Sequence, residues 1–92
     1  MERILASRKR IDEIDEKILH LLKERIEVCR DIGVIKRQLK IPIRDSHREG
    51  EVHTNITRKA SELGLNLQKV KVIYREVVAM STHVQKHRKF EE

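Results

Sequence analysis

From Ile4 to Leu39 the chain carries no proline, and apolar residues return every seven positions. Ile4, Ile11, Ile18, Ile32 and Leu39 share one heptad position; Ile14, Leu21, Val28 and Ile35 share the other, together with Ser7. Such spacing lays an apolar seam along a single α-helix. A helix this long is out of proportion to a small monomer and suits pairing with a partner chain.

Size points the same way. A chain of 92 residues makes one domain, spanning 1–92, and buries too little surface as a compact monomer to be comfortably stable. Cys29 is the only cysteine, which rules out an intrachain disulfide, and aromatics make up just 2% of the chain. Oligomerisation is the expected source of the missing burial. Charged residues reach 39% but periodic apolar residues reach 38%, too many for a disordered chain. The single cysteine fits a reducing compartment, and neither a signal segment nor a membrane-length apolar run is visible, so a cytoplasmic protein is expected. The formal net charge of +6 favours an anionic partner: nucleic acid, an acidic membrane or a small polyanion.

The breakers divide the chain into three helices and make it all-α. Pro42 is the only proline, and the glycines are Gly33, Gly50 and Gly64. The first helix is expected from about Arg3 to Gln38, ending before Pro42, with Ile41 extended. Ser46-His47-Arg48-Glu49 reads as a capping box opening a second helix to Leu63, with Gly64 as its C-terminal cap. Val52, Ile56, Ala60 and Leu63 form its apolar side. A third helix, from Leu67 to the region of His87, shows Val70, Ile73, Tyr74, Val77, Val78 and Val84 on one face.

The residues that interrupt this pattern are the informative ones. Arg25 takes the heptad position of Ile18 and Ile32, Arg8 and Lys36 flank the seam, and Ser81 and Gln85 prolong the apolar face of the third helix. Charge in such positions costs free energy unless it is paired. One arginine on a seam is ordinarily solvated or paired with a carboxylate such as Asp15 or Glu24; five polar residues on facing helices suggest a ligand. Arg25 and Lys36 are close to three turns apart, roughly 16 Å, and two long side chains can converge between them. Arg8 lies about 25 Å from Arg25 along the same helix, so it reaches that place only from an antiparallel partner. The pattern thus implies an intertwined helical-bundle homodimer with two shared sites.

These residues also resemble a known family. The run from Arg8 to Leu19, followed by Leu22-Lys23-Glu24-Arg25, is similar to the first helix of the all-helical (AroQ-class) chorismate mutases. Lys36, Pro42-Ile43-Arg44-Asp45, Arg48-Glu49, Ser81 and Gln85 follow in the family's order without gaps. The resemblance implies an isomerase that rearranges chorismate to prephenate in aromatic amino-acid biosynthesis, a pericyclic step within one molecule that needs neither cofactor nor metal. It implies that Arg25, and Arg8 from the partner chain, bind the substrate carboxylates. Lys36 and Gln85 donate to the ether oxygen of the breaking bond. Glu49, with the Asp45 region, holds the ring hydroxyl, and Arg48 and Ser81 support these contacts. From the residues alone, Glu49 can equally complete the capping box, or do both jobs, Asp45 can serve simply as a cap, and Arg48 can be a solvated cation. Clamping a dianion with cations selects the reactive conformer, and preorganised donors favour the charge that builds on the ether oxygen. A millionfold acceleration needs about 8 kcal/mol, of which one well-aimed donor supplies roughly 3–4 kcal/mol.

Other readings are weaker. Isochorismate-pyruvate lyase shares the fold implied by the resemblance, and Glu49 tilts the choice toward the mutase. A basic nucleic-acid-binding dimer is allowed by charge, yet one Tyr and one Phe offer little for stacking. A catalytically silent dimerisation or regulatory module is argued against by the intact residue set, while a partner enzyme of the same pathway stays compatible with the reading. His83 and His87 stand one turn apart but lack further ligands, so no metal site is expected. Cys29 is expected to be a small core residue.

Overall fold

The computed structural model describes residues 1–86 and contains three helices: α1 (Glu2–Leu39), α2 (Ser46–Glu62) and α3 (Leu67–Lys86). No strand occurs among the described residues. The limits follow the breakers closely. His87 and the basic residues after it, Arg88 and Lys89, lie outside the described residues.

The helix ends explain the layout. α1 stops at Leu39 because Lys40 adopts a left-handed conformation, φ 59°, two residues ahead of Pro42. The Lys40 N–H donates to the Arg37 carbonyl and the Ile41 N–H to the Lys36 carbonyl, closing the last turn. Gly64 does the same for α2 at φ 71°, with its N–H on the Ser61 carbonyl and that of Leu65 on the Ala60 carbonyl. The expected capping box is displaced by one residue. Asp45, not Ser46, is the N-cap of α2, and its Oδ1 accepts from the Arg48 N–H at 3.0 Å. Asp45 already has the extended backbone that a cap needs (φ −130°, ψ 95°), and its carboxylate also favours the positive end of the helix. Glu49 is thereby free of any capping duty.

α3 is the middle element. It packs on both α1 and α2, while α1 and α2 do not pack on each other. The half-buried stripe of α1 is Leu22, Arg25, Ile26, Cys29, Gly33, Lys36 and Arg37, with Gly33 fully buried. On α3 the covered stripe is Val70, Tyr74, Val77, Val78, Ser81 and Gln85; Ile73 falls beside it and is exposed. On α2, Val52 and Ile56 are half-buried and Ala60 is buried at 3% exposure, whereas Leu63, past the end of the helix, points outward.

The heptad seam of α1 lies on none of these interfaces. Residues 1–21 are all exposed, Ile11 and Ile18 at 55% each and Leu21 at 64%. The molecule is 57 Å long, the length of α1, and its radius of gyration of 16.6 Å exceeds the ~12 Å of a compact domain this size. A strip of isoleucine and leucine along the free half of a helix is far more apolar surface than a small soluble monomer leaves open.

Candidate active site

A cavity of about 160 Å3 opens where α3 crosses the C-terminal half of α1 beside the start of α2. Its polar lining is Arg25 and Lys36 from α1, Asp45, Arg48 and Glu49 from the α2 N-terminus, and Ser81, Thr82 and Gln85 from α3. Ile32, Ile43, Val52 and Val78 supply apolar wall. Seven of the eight residues singled out in the sequence therefore meet in one place. The eighth, Arg8, sits on the exposed N-terminal half of α1 and is not among them.

Each cation is held before anything binds. An Arg25 Nη1 donates to Ser81 Oγ, and the Ser81 hydroxyl donates to the Val77 carbonyl at 3.0 Å. Ser81 is 6% exposed, so this contact is sheltered from water, and it fixes the guanidinium across the α1–α3 boundary. The hydroxyl's single proton is already used inside α3, which makes Ser81 an anchor for Arg25. Lys36 Nζ donates to the Ile43 carbonyl at 2.9 Å, tying the α1–α2 loop to α1. An ammonium has three donors, so two remain.

Glu49 is gripped from outside the cavity. Arg44 Nη2 donates to Oε1 and Nε lies against Oε2, both at 3.1 Å, a side-on bidentate pair. The carboxylate is thereby oriented while keeping lone pairs toward the cavity, with Asp45 capping the helix below it. Arg48 also reaches Glu51 at 3.4 Å, on the exposed side of α2.

Gln85 is placed by its backbone. A Cβ added to Gly33 would stand 2.7 Å from Gln85 Cα and 3.0 Å from its carbonyl oxygen, so only glycine lets α3 approach α1 here. Arg37 Nη1 donates to the same carbonyl. Gly33 had read as a breaker of helices; it is a crossing point inside one. A glycine that fails to end a long helix was the available signal. Arg37 and Thr82 were not singled out, and Arg44 and Ile43 entered only as part of the loop motif, with no role of their own. Cys29, expected in the core, is half-buried and lines the cavity near Arg25.

No group of three or more metal-ligating side chains occurs among the described residues, and His87, the partner considered for His83, lies outside them. No described helix is long and apolar enough to cross a membrane.

Fold and site together define an all-α, three-helix chain with a cationic cavity between its helices. Residues 7–86 match the family model of type II chorismate mutases, and the chain belongs to that family. It is 44% identical over 62 residues to a chorismate mutase of Methanocaldococcus jannaschii, covering 67% of this chain and 63% of that protein. It is 39% identical over 89 residues to a bifunctional chorismate mutase/prephenate dehydratase of Aquifex aeolicus, covering 94% of this chain but only 25% of that one. Among solved structures, a conserved hypothetical protein from Pyrococcus furiosus superimposes with a TM-score of 0.70 at 33% identity, covering 92% of this chain and 97% of that one. The chain thus spans under two thirds of the first of these relatives and a quarter of the second.

Proposed function

We propose that this protein is an isomerase that converts chorismate to prephenate. The observation that carries the reading is the convergence of Arg25, Lys36, Glu49 and Gln85, from three separate elements, on one small cavity. Arg25 and Lys36 bind a dianion and hold it in its folded conformer. Lys36 and Gln85 place donors where negative charge grows on the ether oxygen as its bond to the ring breaks. Glu49, aimed by Arg44, receives the ring hydroxyl, and Arg48 and Asp45 close that end.

The working unit in this reading is a homodimer. The exposed seam of Ile4, Ile11, Ile14, Ile18 and Leu21 is the surface a second copy covers, and an antiparallel copy brings its own Arg8 to the cavity. The exposed area of 7717 Å2 exceeds by about 2,000 Å2 that of a compact 10.9 kDa monomer, the scale an obligate dimer buries. A cytoplasmic setting fits the lone thiol of Cys29. Association with another enzyme of the same pathway is compatible with the reading and is not needed by it.

Purified protein mixed with chorismate tests this directly, with chorismate loss and prephenate formation followed beside a Lys36→Ala variant. Turnover is expected from the first and a loss of several orders of magnitude from the second. Equal rates would remove the mechanism, and pyruvate release from isochorismate without prephenate formation would move the reading to the lyase.

A further inference from the structure

Gln85 lies on α3, one residue before the last described residue. Its own carbonyl is met by a guanidinium from another helix, Arg37 of α1. Arg37 follows Lys36 directly, but the two serve different faces: Lys36 lines the cavity and Arg37 does not. Gly33, one turn earlier on the same face of α1, comes close to the same carbonyl. Gln85 is therefore held between a backbone contact that sets its distance and a cation that sets its direction.

We propose that Arg37 is a positioning residue for Gln85: by binding the Gln85 carbonyl it fixes the α3 backbone at that residue and aims the Gln85 amide into the cavity. Arg37 is half-buried, which shields the contact from competing water. Among the described residues its side chain meets this carbonyl and no acidic side chain. The proposal rests on the reading that Gln85 donates to the reacting oxygen, and it adds a residue outside the cavity on which that donor depends.

A double-mutant cycle in kcat and KM decides it. Gln85→Ala tests the underlying reading and is expected to lower kcat by about 100-fold or more. Arg37→Met is expected to lower kcat about tenfold while moving KM less than about twofold, because the aim of a transition-state donor is lost and the carboxylate contacts are not. In the Gln85→Ala background, Arg37→Met is expected to lower kcat by no more than about twofold, since there is no amide left to aim. Arg37→Lys, which keeps one donor and the charge, should restore kcat to within about threefold of the parent. If Arg37→Met loses helix content by circular dichroism, Arg37→Gln, polar but too short to reach the carbonyl, carries the same expectations. An unchanged kcat in Arg37→Met overturns the proposal, as does an equal loss in both backgrounds, which marks Arg37 as merely structural. Full activity in Gln85→Ala overturns the reading of Gln85 itself and takes the proposal with it.

Discussion

Arg25 on α1 and Ser81 on α3 are joined by a side-chain hydrogen bond across the helix boundary, and Ser81 is in turn fixed to the Val77 carbonyl. The cation is anchored from behind, so it meets a ligand in one orientation. Ser81→Ala removes the anchor and leaves the cavity lining otherwise intact. A hydrogen bond to a charged group is worth about 1.5–3 kcal/mol, and part of that is recovered because the guanidinium keeps other donors for solvent. Under the proposed activity, KM for chorismate should rise by about threefold to tenfold with kcat lowered less. Steady-state kinetics check this. A fall in kcat at unchanged KM would instead assign Ser81 to the transition state.

The site was legible in the sequence to the degree that it broke a pattern. Arg25 stands in a heptad position that calls for isoleucine, and Ser81 and Gln85 stand where the α3 stripe calls for valine, so periodicity marked the residues that the fold brings to one cavity. The three helices were legible because Pro42 and Gly64 punctuate them. The cap of α2 was not. Asp45 and Ser46 are both good caps, and the choice falls to where the chain leaves the left-handed turn at Lys40. Arg37 and Gly33 were hidden for a different reason. Their roles depend on where α3 crosses α1, a relation between residues about 50 positions apart that no local spacing encodes. Ile73 was misplaced because the α3 stripe is narrower than its apolar content.

Gly33→Ala tests the crossing itself. Alanine raises helix propensity by about 1 kcal/mol in an exposed helix, but here its Cβ meets α3 backbone at 2.7 Å, which cannot swing aside as a side-chain tip can. Overpacking of this kind typically costs 1–3 kcal/mol. The net expectation is a loss of about 1 kcal/mol in denaturant unfolding, with a fall in kcat because Gln85 is pushed away with its helix. A more stable Gly33→Ala protein would mean that the helices separate without cost and that the contact carries no positioning.

The proposed donor pair also fixes a pH profile. Among the described residues the polar lining of the cavity is arginine, lysine, carboxylates, hydroxyls, a thiol and an amide, with no histidine, the side chain that ordinarily titrates between pH 5 and 8. Arginine stays cationic throughout, and Gln85 never carries charge. Activity is therefore expected to vary by less than about twofold between pH 6 and 8. Replacing Gln85 by Glu should change that shape: a carboxyl donates only when protonated, so Gln85→Glu activity should climb as pH falls. A parent enzyme with a sharp acidic optimum would show that a titrating group, and not the amide, supplies the second donor.

Arg8 sits on the N-terminal half of α1, roughly 25 Å along the helix from Arg25, and cannot join the cavity of its own chain. The proposed antiparallel dimer predicts complementation. Arg8→Ala alone spoils both sites, because each borrows that cation from the other chain, and Arg25→Ala alone also spoils both. In a mixed dimer, the Arg8→Ala chain contributes an intact Arg25 and receives Arg8 from its partner, so one site is whole and the other lacks both cations. Unfolding and refolding an equal mixture gives half heterodimers if pairing is unbiased, and one whole site in each restores about a quarter of the parental activity per total site. Ile11→Lys with Ile18→Lys, on the exposed seam, should abolish dimers in sedimentation analysis and activity with them, since a lysine in each of two successive heptads sets charge against an apolar partner. Recovery without dimers, or dimers without recovery, would separate pairing of the chains from sharing of the site.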